Sequence, residues 1–217
     1  FIGRALVEKL ARAGARILVL GRNAERVKLM KPLGAVGQIT ALAGDVTDEA
    51  TLRTAIMPAD TVINLVGILS PTGRHNFELM HATLPAQIAK IASETRVDQL
   101  VHFSALGASM KSNSVYARTK AEGERALLRQ FKTAVVLRPS VVFGPGDSFF
   151  NRFGQMAMIA PALPLIGGGT NKMQPVFVGD VADAVMAILQ PNFTGDQIFE
   201  LGGPKIYTFK ELMELTL

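Results

Sequence analysis

The chain has 217 residues, of which 48% are apolar and 19% are charged, and its formal net charge is +5. This apolar content excludes an intrinsically disordered chain, and the absence of Cys excludes a disulfide scaffold, an iron–sulfur protein and a thiolate zinc site. The basic residues are spread along the chain without interleaved aromatic residues, so we expect no nucleic-acid partner. No apolar run reaches the roughly 18–20 residues that a membrane-spanning helix needs, so we expect no transmembrane segment.

Strand and helix patterns alternate through the first two-thirds of the sequence. The predicted strands cover residues 16–20, 38–43, 60–66, 97–104 and 133–137. The predicted helices cover residues 2–13, 24–30, 48–57, 76–95 and 113–130, and Pro85 is a candidate position for a kink in the fourth of them. Short connections between alternating elements predict an α/β fold with a doubly wound, Rossmann-like parallel sheet. Ligands of such sheets bind at the carboxyl ends of the strands.

The two ends of the sequence add further expectations. The chain opens at Phe1 inside a helical pattern, so we expect the first strand of the sheet, with two glycines of a diphosphate-binding loop, to precede it. Without them we expect this chain to be unstable and to bind a dinucleotide poorly. Gly, Pro and Met accumulate from Gly144 onward, which indicates a Rossmann-like domain at 1–143 and a small α/β lobe at 144–217 that is intertwined with it.

Tyr116 and Lys120 stand four residues apart on a predicted helix, so their side chains share one face. A tyrosine transfers protons only if its pKa of about 10 is lowered, and an adjacent ammonium group lowers it. Ser104 ends a predicted strand upstream, where its hydroxyl can polarise a carbonyl opposite Tyr116. These three residues are the candidate catalytic set. The plainer alternatives are a chance Tyr–Lys spacing and a strand-capping role for Ser104.

Other candidate binding residues also follow predicted strands. Arg22 follows the first of them, where dinucleotide folds meet the adenosine ribose and an arginine accommodates a 2′-phosphate. With Gly21 beside it and no acidic residue, this position favours NADP(H) over NAD(H); a solvated surface arginine is the alternative. Asp45 can accept from the adenine amino group, Gly67 lets the backbone pass close to a cofactor, and Gly3 can end the diphosphate loop. Each of these signals is weak alone, because Asp and Gly end many strands.

Several motifs together resemble the extended short-chain dehydrogenase/reductase superfamily, over essentially the whole chain. They are residues 1–3 (Phe-Ile-Gly), 44–46 (Gly-Asp-Val), 63–67 (Ile-Asn-Leu-Val-Gly), Ser104, Tyr116-x-x-x-Lys120, 138–145 (Arg-Pro-Ser-Val-Val-Phe-Gly-Pro) and 175–181 (Pro-Val-Phe-Val-Gly-Asp-Val). Residues 102–108 and 144–153 are most similar to one atypical branch, the NADPH-binding accessory subunit of respiratory complex I and its bacterial relatives. The resemblance implies a nicotinamide dinucleotide as ligand. Its implied contacts are Ile2, Gly3, Arg22, Asp45, Val46, Leu65, Val66, Gly67, Ser104, Tyr116, Lys120, Pro139 and Val142.

The resemblance also carries expectations about function. Extended enzymes usually place the catalytic Ser or Thr two positions beyond Ser104, where this chain has Leu106, which argues against turnover. The first hypothesis is therefore an NADP(H)-binding protein with a structural or assembly role, or a role in quinone-related redox metabolism. Its expected partners are respiratory complex I subunits or a quinone-related membrane complex. Its expected location is the cytoplasm, peripheral at the inner membrane of a bacterium, or the mitochondrial matrix of a eukaryote.

Two other hypotheses remain open. One is an active NAD(P)-dependent epimerase, dehydratase or reductase, acting on a nucleotide sugar or a similar carbonyl substrate. The other is a regulator that senses the redox state of the cofactor. A sugar-nucleotide enzyme needs polar and basic residues for a diphosphate, whereas residues 155–168 are mostly Met, Ala, Ile, Pro, Leu and Gly. This composition favours the hypotheses without a sugar substrate.

Overall fold

The computed structural model describes residues 1–159, 165–191 and 193–216. Its α-helices are Ile2–Arg12 (α1), Ala24–Lys28 (α2), Glu49–Ile56 (α3), Leu84–Glu94 (α4), Val115–Gln130 (α5), Phe150–Ala157 (α6), Val178–Ile188 (α7) and Phe209–Glu214 (α8). Its strands are Ile17–Gly21 (β1), Ile39–Ala43 (β2), Thr61–Asn64 (β3), Gln99–Phe103 (β4), Val135–Pro139 (β5), Val142–Phe143 (β6), Lys172–Met173 (β7), Val176–Phe177 (β8), Ile198–Leu201 (β9) and Tyr207–Thr208 (β10). A π-helical turn spans Glu78–Thr83, and short 3₁₀ turns span Lys31–Leu33 and Ile166–Gly169.

Parallel pairing organises the sheets. Strands β3, β4, β5 and β9 form a four-stranded parallel sheet in that order, and β1 pairs in parallel with β2. The predicted α/β fold with parallel strands joined by helices is confirmed. Among the described strands, β1 pairs only with β2, and β3 pairs only with β4. The additional first strand of the sheet stays a prediction. Strand β3 ends earlier than predicted because the Asn64 side chain accepts a hydrogen bond from the Val66 N–H (3.0 Å), which turns the chain out of the sheet.

Both faces of the four-stranded sheet are covered, which explains the apolar strands. Leu100 and Val136 pack into the core formed with α3, α4 and α5, whereas Val101 and Leu137 pack into the core formed with α1 and α7. All four side chains are at most 1% exposed. Adjacent residues therefore serve opposite faces, and each buried side chain contributes about 1.5–3 kcal/mol to folding.

Side-chain caps fix where several helices begin. Asp48 accepts a hydrogen bond from the Thr51 N–H before α3, and Ser114 accepts one from the Ala117 N–H before α5. Each cap satisfies a backbone donor that the first helical turn leaves free. Within the described ranges, no helix combines the length and apolar character needed to cross a bilayer.

The predicted helix over 76–95 is present as continuous helical backbone over residues 77–94. Its first part is the π-helical turn, which runs directly into α4, and Pro85 lies just after the point where the two meet. The π-helical turn lies against α5 at Gly123. A Cβ placed on Gly123 would lie 1.7 Å from the carbonyl oxygen of His81. Only a glycine allows these two segments to approach so closely.

The C-terminal segment is shared between the main sheet and a smaller cluster. Strand β9 extends the sheet beyond β5, and α7 packs against α1, so this part of 144–217 is in contact with the elements of 1–143. The boundary at 143/144 stays a prediction. Phe149, Phe153 and Phe209 pack edge to face, with ring centroids 5.2–6.2 Å apart, and join α6 to α8. Of the apolar run 155–168, residues 160–164 lie outside the described part of the chain.

Candidate functional site at the carboxyl ends of the strands

The residues singled out after the predicted strands lie where parallel strands end. They are Arg22 after β1, Asp45 and Val46 after β2, Leu65, Val66 and Gly67 after β3, Ser104 after β4, and Pro139 at the end of β5. Backbone hydrogen bonds continue the pairing beyond the strands, from the Ser104 N–H to the Leu137 oxygen (2.7 Å) and from the Leu106 N–H to the Pro139 oxygen (3.0 Å). The carboxyl ends of β4 and β5 thus form one continuous edge, the usual ligand position of such sheets.

Lys120 is buried beneath this edge. It lies one turn after Tyr116 on α5, is 4% exposed, and its Nζ donates to the Phe103 carbonyl oxygen (3.2 Å) at the end of β4. Burial lowers the Lys120 pKa to about 8, although the charge of Glu124 opposes the change. At neutral pH the amine is therefore a charged donor held under the rim of the sheet. A Cβ on Gly67 would lie 3.3 Å from Nζ, so a larger residue there would crowd the amine.

Tyr116 differs from its expected state. Burial raises its pKa, and the expected lowering by Lys120 is absent from the effects that act on it. The phenol ring packs edge to face on Phe77 and His81, with ring centroids 5.8 and 5.1 Å apart. Such pairs hold a ring in place beyond the contribution of its buried area. Burial therefore favours the neutral form of Tyr116, and Phe77 and His81 hold its ring in place.

His81 is a buried neighbour of the Tyr–Lys pair, whereas its sequence context indicates only an ordinary structural role. Its Nε2 accepts from the Ile68 N–H (3.1 Å), so its proton lies on Nδ1, which faces Thr119 Oγ1 at 3.4 Å. Burial, and then the charge of Lys120, lower the His81 pKa to about 4. The imidazole is therefore neutral at physiological pH. No short sequence motif predicts this position, because His81 is brought next to Tyr116 and Lys120 by the π-helical turn in which it lies.

His102 is the second buried histidine of the site. Asn64 Nδ2 donates to its Nδ1 (3.0 Å), which leaves the proton on Nε2. Burial, then the charges of Lys120 and His81, lower the His102 pKa to about 3. Its Nε2 is buried and has no hydrogen-bond partner among the described residues. With both histidines neutral, Lys120 holds the positive charge at the centre of this cluster.

Ser104 and Leu106 define the candidate reaction side of the rim. Ser104 is 6% exposed, and its Oγ is buried without a hydrogen-bond partner in the described part of the chain. A free buried hydroxyl is suited to accept or donate to a ligand. Leu106, at the position where extended enzymes usually carry Ser or Thr, is 41% exposed. This edge of the sheet therefore carries the unpartnered Ser104 hydroxyl and the exposed apolar side chain of Leu106.

The end of β2 differs from the expectation that Asp45 is free for adenine. Its carboxylate accepts from the Thr47 N–H (2.9 Å) and Oγ1 (2.8 Å) and forms an ion pair with Arg74. The Thr47 hydrogen bonds first, and Arg74 next, lower the Asp45 pKa to about 2. His75 lies beside it and receives a contact from Arg22 Nη1 (3.3 Å to Nδ1). Sequence reasoning missed Arg74 and His75, because they belong to a loop and not to a strand end.

A buried ion pair joins α5 to β5. Arg138 donates through Nε (2.9 Å) and Nη2 (2.6 Å) to the two carboxylate oxygens of Glu124, whose side chain is 4% exposed. Its Nη1 also lies 3.4 Å from Glu200 on β9. These carboxylates raise the Arg138 pKa, with Glu124 as the main cause. The helix that carries Tyr116 is thereby fixed to the sheet.

The remaining predicted contacts fall around the same rim. Ile2 and Gly3 lie in the first turn of α1, and a Cβ on Gly3 would lie 3.3 Å from Leu65 Cδ1, which places this turn beside the β3 end. Val46 is buried in the core, and Val142 lies on β6, paired with β8. The structure thus positions these residues, while their contact with a dinucleotide stays a prediction.

The parallel sheet, with the candidate residues along its carboxyl edge, defines a Rossmann-type α/β class of protein. The chain belongs to the NAD dependent epimerase/dehydratase family, whose model matches residues 1–202. This membership confirms the resemblance to extended short-chain dehydrogenases/reductases.

The similar proteins fall into two groups. NADH dehydrogenase [ubiquinone] 1 alpha subcomplex subunit 9, mitochondrial, is 36% identical in Arabidopsis thaliana over 99% of this chain and 54% of the relative. The Mus musculus protein of the same name is 34% identical over 99% of this chain and 57% of the relative. The chain therefore spans about half the length of these relatives. The structure of dTDP-glucose 4,6-dehydratase from Bacillus anthracis, in complex with NAD, matches with a TM-score of 0.82 at 20% identity, over 100% of this chain and 76% of that one. At this identity the match shows the shared fold alone.

Proposed function

We propose that the whole protein binds NADP(H) at the carboxyl edge of its sheet and acts as a structural or assembly subunit of a respiratory complex I-type membrane complex, or in quinone-related redox metabolism. The state of Tyr116 carries this proposal. Burial raises its pKa, and the Lys120 amine donates to the Phe103 carbonyl, which favours a binding role for the pair. The named relatives in plants and mammals are complex I subunits, which supports the choice of partner.

The residues present fit a dinucleotide. Ser104 Oγ is buried without a hydrogen-bond partner in the described ranges, and Gly67 has no side chain to fill the space beside the Lys120 amine. Lys120 and Ser104 would hold the nicotinamide end, and Arg22 would hold the adenosine end. The bound nicotinamide would supply hydride chemistry. Tyr116 would keep its proton while Phe77 and His81 hold its ring in place.

The proposed location follows from the proposed partner. A protein of this kind would lie on the cytoplasmic side of a bacterial inner membrane or in the mitochondrial matrix. The relatives named above are mitochondrial proteins. A preference for NADP(H) over NAD(H) is supported by Arg22 and by the absence of an acidic residue directly after β1.

A second candidate function is an active epimerase, dehydratase or reductase on a nucleotide sugar or similar carbonyl substrate. The free Ser104 hydroxyl favours it, because a buried donor without a partner can polarise a substrate carbonyl. In this case Tyr116 would transfer a proton once a bound cofactor and substrate had changed its surroundings.

One experiment separates the two candidates. Full-length wild type and Tyr116→Phe are purified by affinity from membranes, and the bound nucleotide and co-purifying proteins are identified. We expect complex I subunits and NADPH with both proteins, because a binding role does not need the phenol proton. A wild type that turns over a nucleotide sugar, loses turnover in Tyr116→Phe and recovers no complex I subunits would overturn the proposal and support the second candidate.

A further inference from the structure

The loop between β3 and the π-helical turn carries a rigid tip. Thr72 and His75 exchange backbone hydrogen bonds in both directions, at 3.0 and 3.1 Å, and Gly73 between them has a φ of +56°. A closed turn with a glycine in the left-handed region presents its side chains in one fixed direction. The backbone of Arg74 and His75 therefore belongs to a hydrogen-bonded turn.

This tip reaches the ends of two strands of the other sheet. Arg74 pairs with Asp45 after β2, and His75 contacts Arg22 after β1. Arg74 and His75 thus flank the Asp45 carboxylate, and Arg22 reaches the same cluster through His75. Arg22 is exposed, and the Arg74 side chain is 72% exposed, so both can still turn toward a ligand.

His75 adds a donor that lacks an acceptor. Arg22 Nη1 donates to Nδ1, which leaves the proton of the imidazole on Nε2. That Nε2 is buried without a hydrogen-bond partner in the described ranges, and the nearest carboxylate oxygen, Asp45 Oδ1, is 3.7 Å away. A buried N–H of this kind calls for an acceptor oxygen.

We propose that Arg74 and His75 complete, with Arg22, a binding site for the 2′-phosphate of NADP(H), and that this loop sets the preference for NADP(H). The inference rests on the proposed dinucleotide function and deepens it. Arginine forks match phosphate oxygens in bidentate geometry, and the His75 N–H supplies a third donor. Asp45 would hold Arg74 in place until a dianionic phosphate replaces it as partner. The competing interpretation is an ion pair that only ties the two sheets together.

The test uses the full-length protein and isothermal titration at constant ionic strength with NADPH, NADH and 2′,5′-ADP. For Arg74→Ala we expect NADPH and 2′,5′-ADP to bind about tenfold more weakly, with NADH binding unchanged within about twofold, as for the loss of one charge-assisted contact. His75→Ala should weaken NADPH in the same selective way. Arg129→Ala, which removes an exposed arginine in the last turn of α5, is the control for net charge and should leave all three affinities unchanged.

The outcomes are distinct. Equal losses of NADPH and NADH affinity, or an unchanged preference, would overturn the assignment of Arg74 and leave the proposed function standing. A wild type that binds neither dinucleotide would overturn both proposals. If Arg74→Ala fails to fold, Arg74→Lys is measured in its place. This variant keeps the positive charge and loses the guanidinium group that binds phosphate in bidentate geometry. A selective loss for NADPH in Arg74→Lys supports the site, and wild-type affinity for NADPH refutes it.

Discussion

Replacing Gly123 by Ala tests the contact that positions the candidate site. The added Cβ would lie 1.7 Å from the His81 carbonyl oxygen, whereas such contacts are essentially never below 3.0 Å. The obstacle is backbone, so α5 and the π-helical turn must separate by more than an ångström. Overpacking of this kind costs about 1–3 kcal/mol or more, against a gain of about 1 kcal/mol from replacing a helical glycine. We expect a net loss of about 2 kcal/mol in the free energy of unfolding.

The matched control is Gly154→Ala. Gly154 also lies inside a helix, but its added Cβ would meet only Thr216 Cγ2 at the ordinary contact distance of 3.8 Å. That variant should be neutral or more stable than wild type by up to about 1 kcal/mol. Thermal unfolding should show Gly123→Ala about 4–8 °C below wild type. Equal melting temperatures for Gly123→Ala and wild type would refute the close packing of the π-helical turn on α5.

Three further predictions concern the buried charges. The Lys120 pKa is about 8 in the folded state and 10.5 in the unfolded state, so the free energy of unfolding rises with pH between these values. Lys120→Met should therefore be about 2 kcal/mol more stable than wild type at pH 7. Urea unfolding that shows no gain at pH 7, or a gain that persists at pH 10.5, would contradict this. The His102 pKa is about 3 in the folded state and 6.5 in the unfolded state, so the free energy of unfolding falls as the pH drops from 6.5 toward 3. In urea titrations, His102→Gln should make the free energy of unfolding depend less on pH over this range. An unchanged pH dependence would refute the lowered pKa of His102. Arg138→Met should lower the free energy of unfolding by about 3 kcal/mol, because it leaves Glu124 buried and unpaired. Adding Glu124→Gln should restore part of this loss. If Arg138→Met alone is as stable as wild type in urea unfolding, the ion pair is dispensable for stability.

The fold and the rim were predictable because their signals are local. Alternating apolar runs and helical spacing depend on a few neighbouring residues, and the residues after each strand share one edge by topology alone. Tyr116 and Lys120 share a helix face for the same reason. Strand boundaries shifted where side chains such as Asn64 take over a backbone hydrogen bond.

The residues whose place in the site was not predicted depend on contacts between distant segments. His81 reaches Thr119 across 38 positions, and Arg74 reaches Asp45 across 29. The pKa of Tyr116 is raised by burial and not lowered by Lys120, whose amine donates to the Phe103 carbonyl. One feature of the sequence could have predicted the ion pair of Arg138 with Glu124. Glu124 lies on the buried face of an amphipathic helix, where a carboxylate needs a cationic partner.

The late position of β9 in the chain has a consequence for biosynthesis. The open edge of β5 is covered only when Ile198–Leu201 pairs with it, and these residues follow β5 by some sixty positions. A nascent polypeptide leaving the ribosome therefore exposes a row of unpaired backbone groups until translation has passed that point. Such an edge invites pairing with other chains, so we expect chaperone protection to matter during synthesis of this segment.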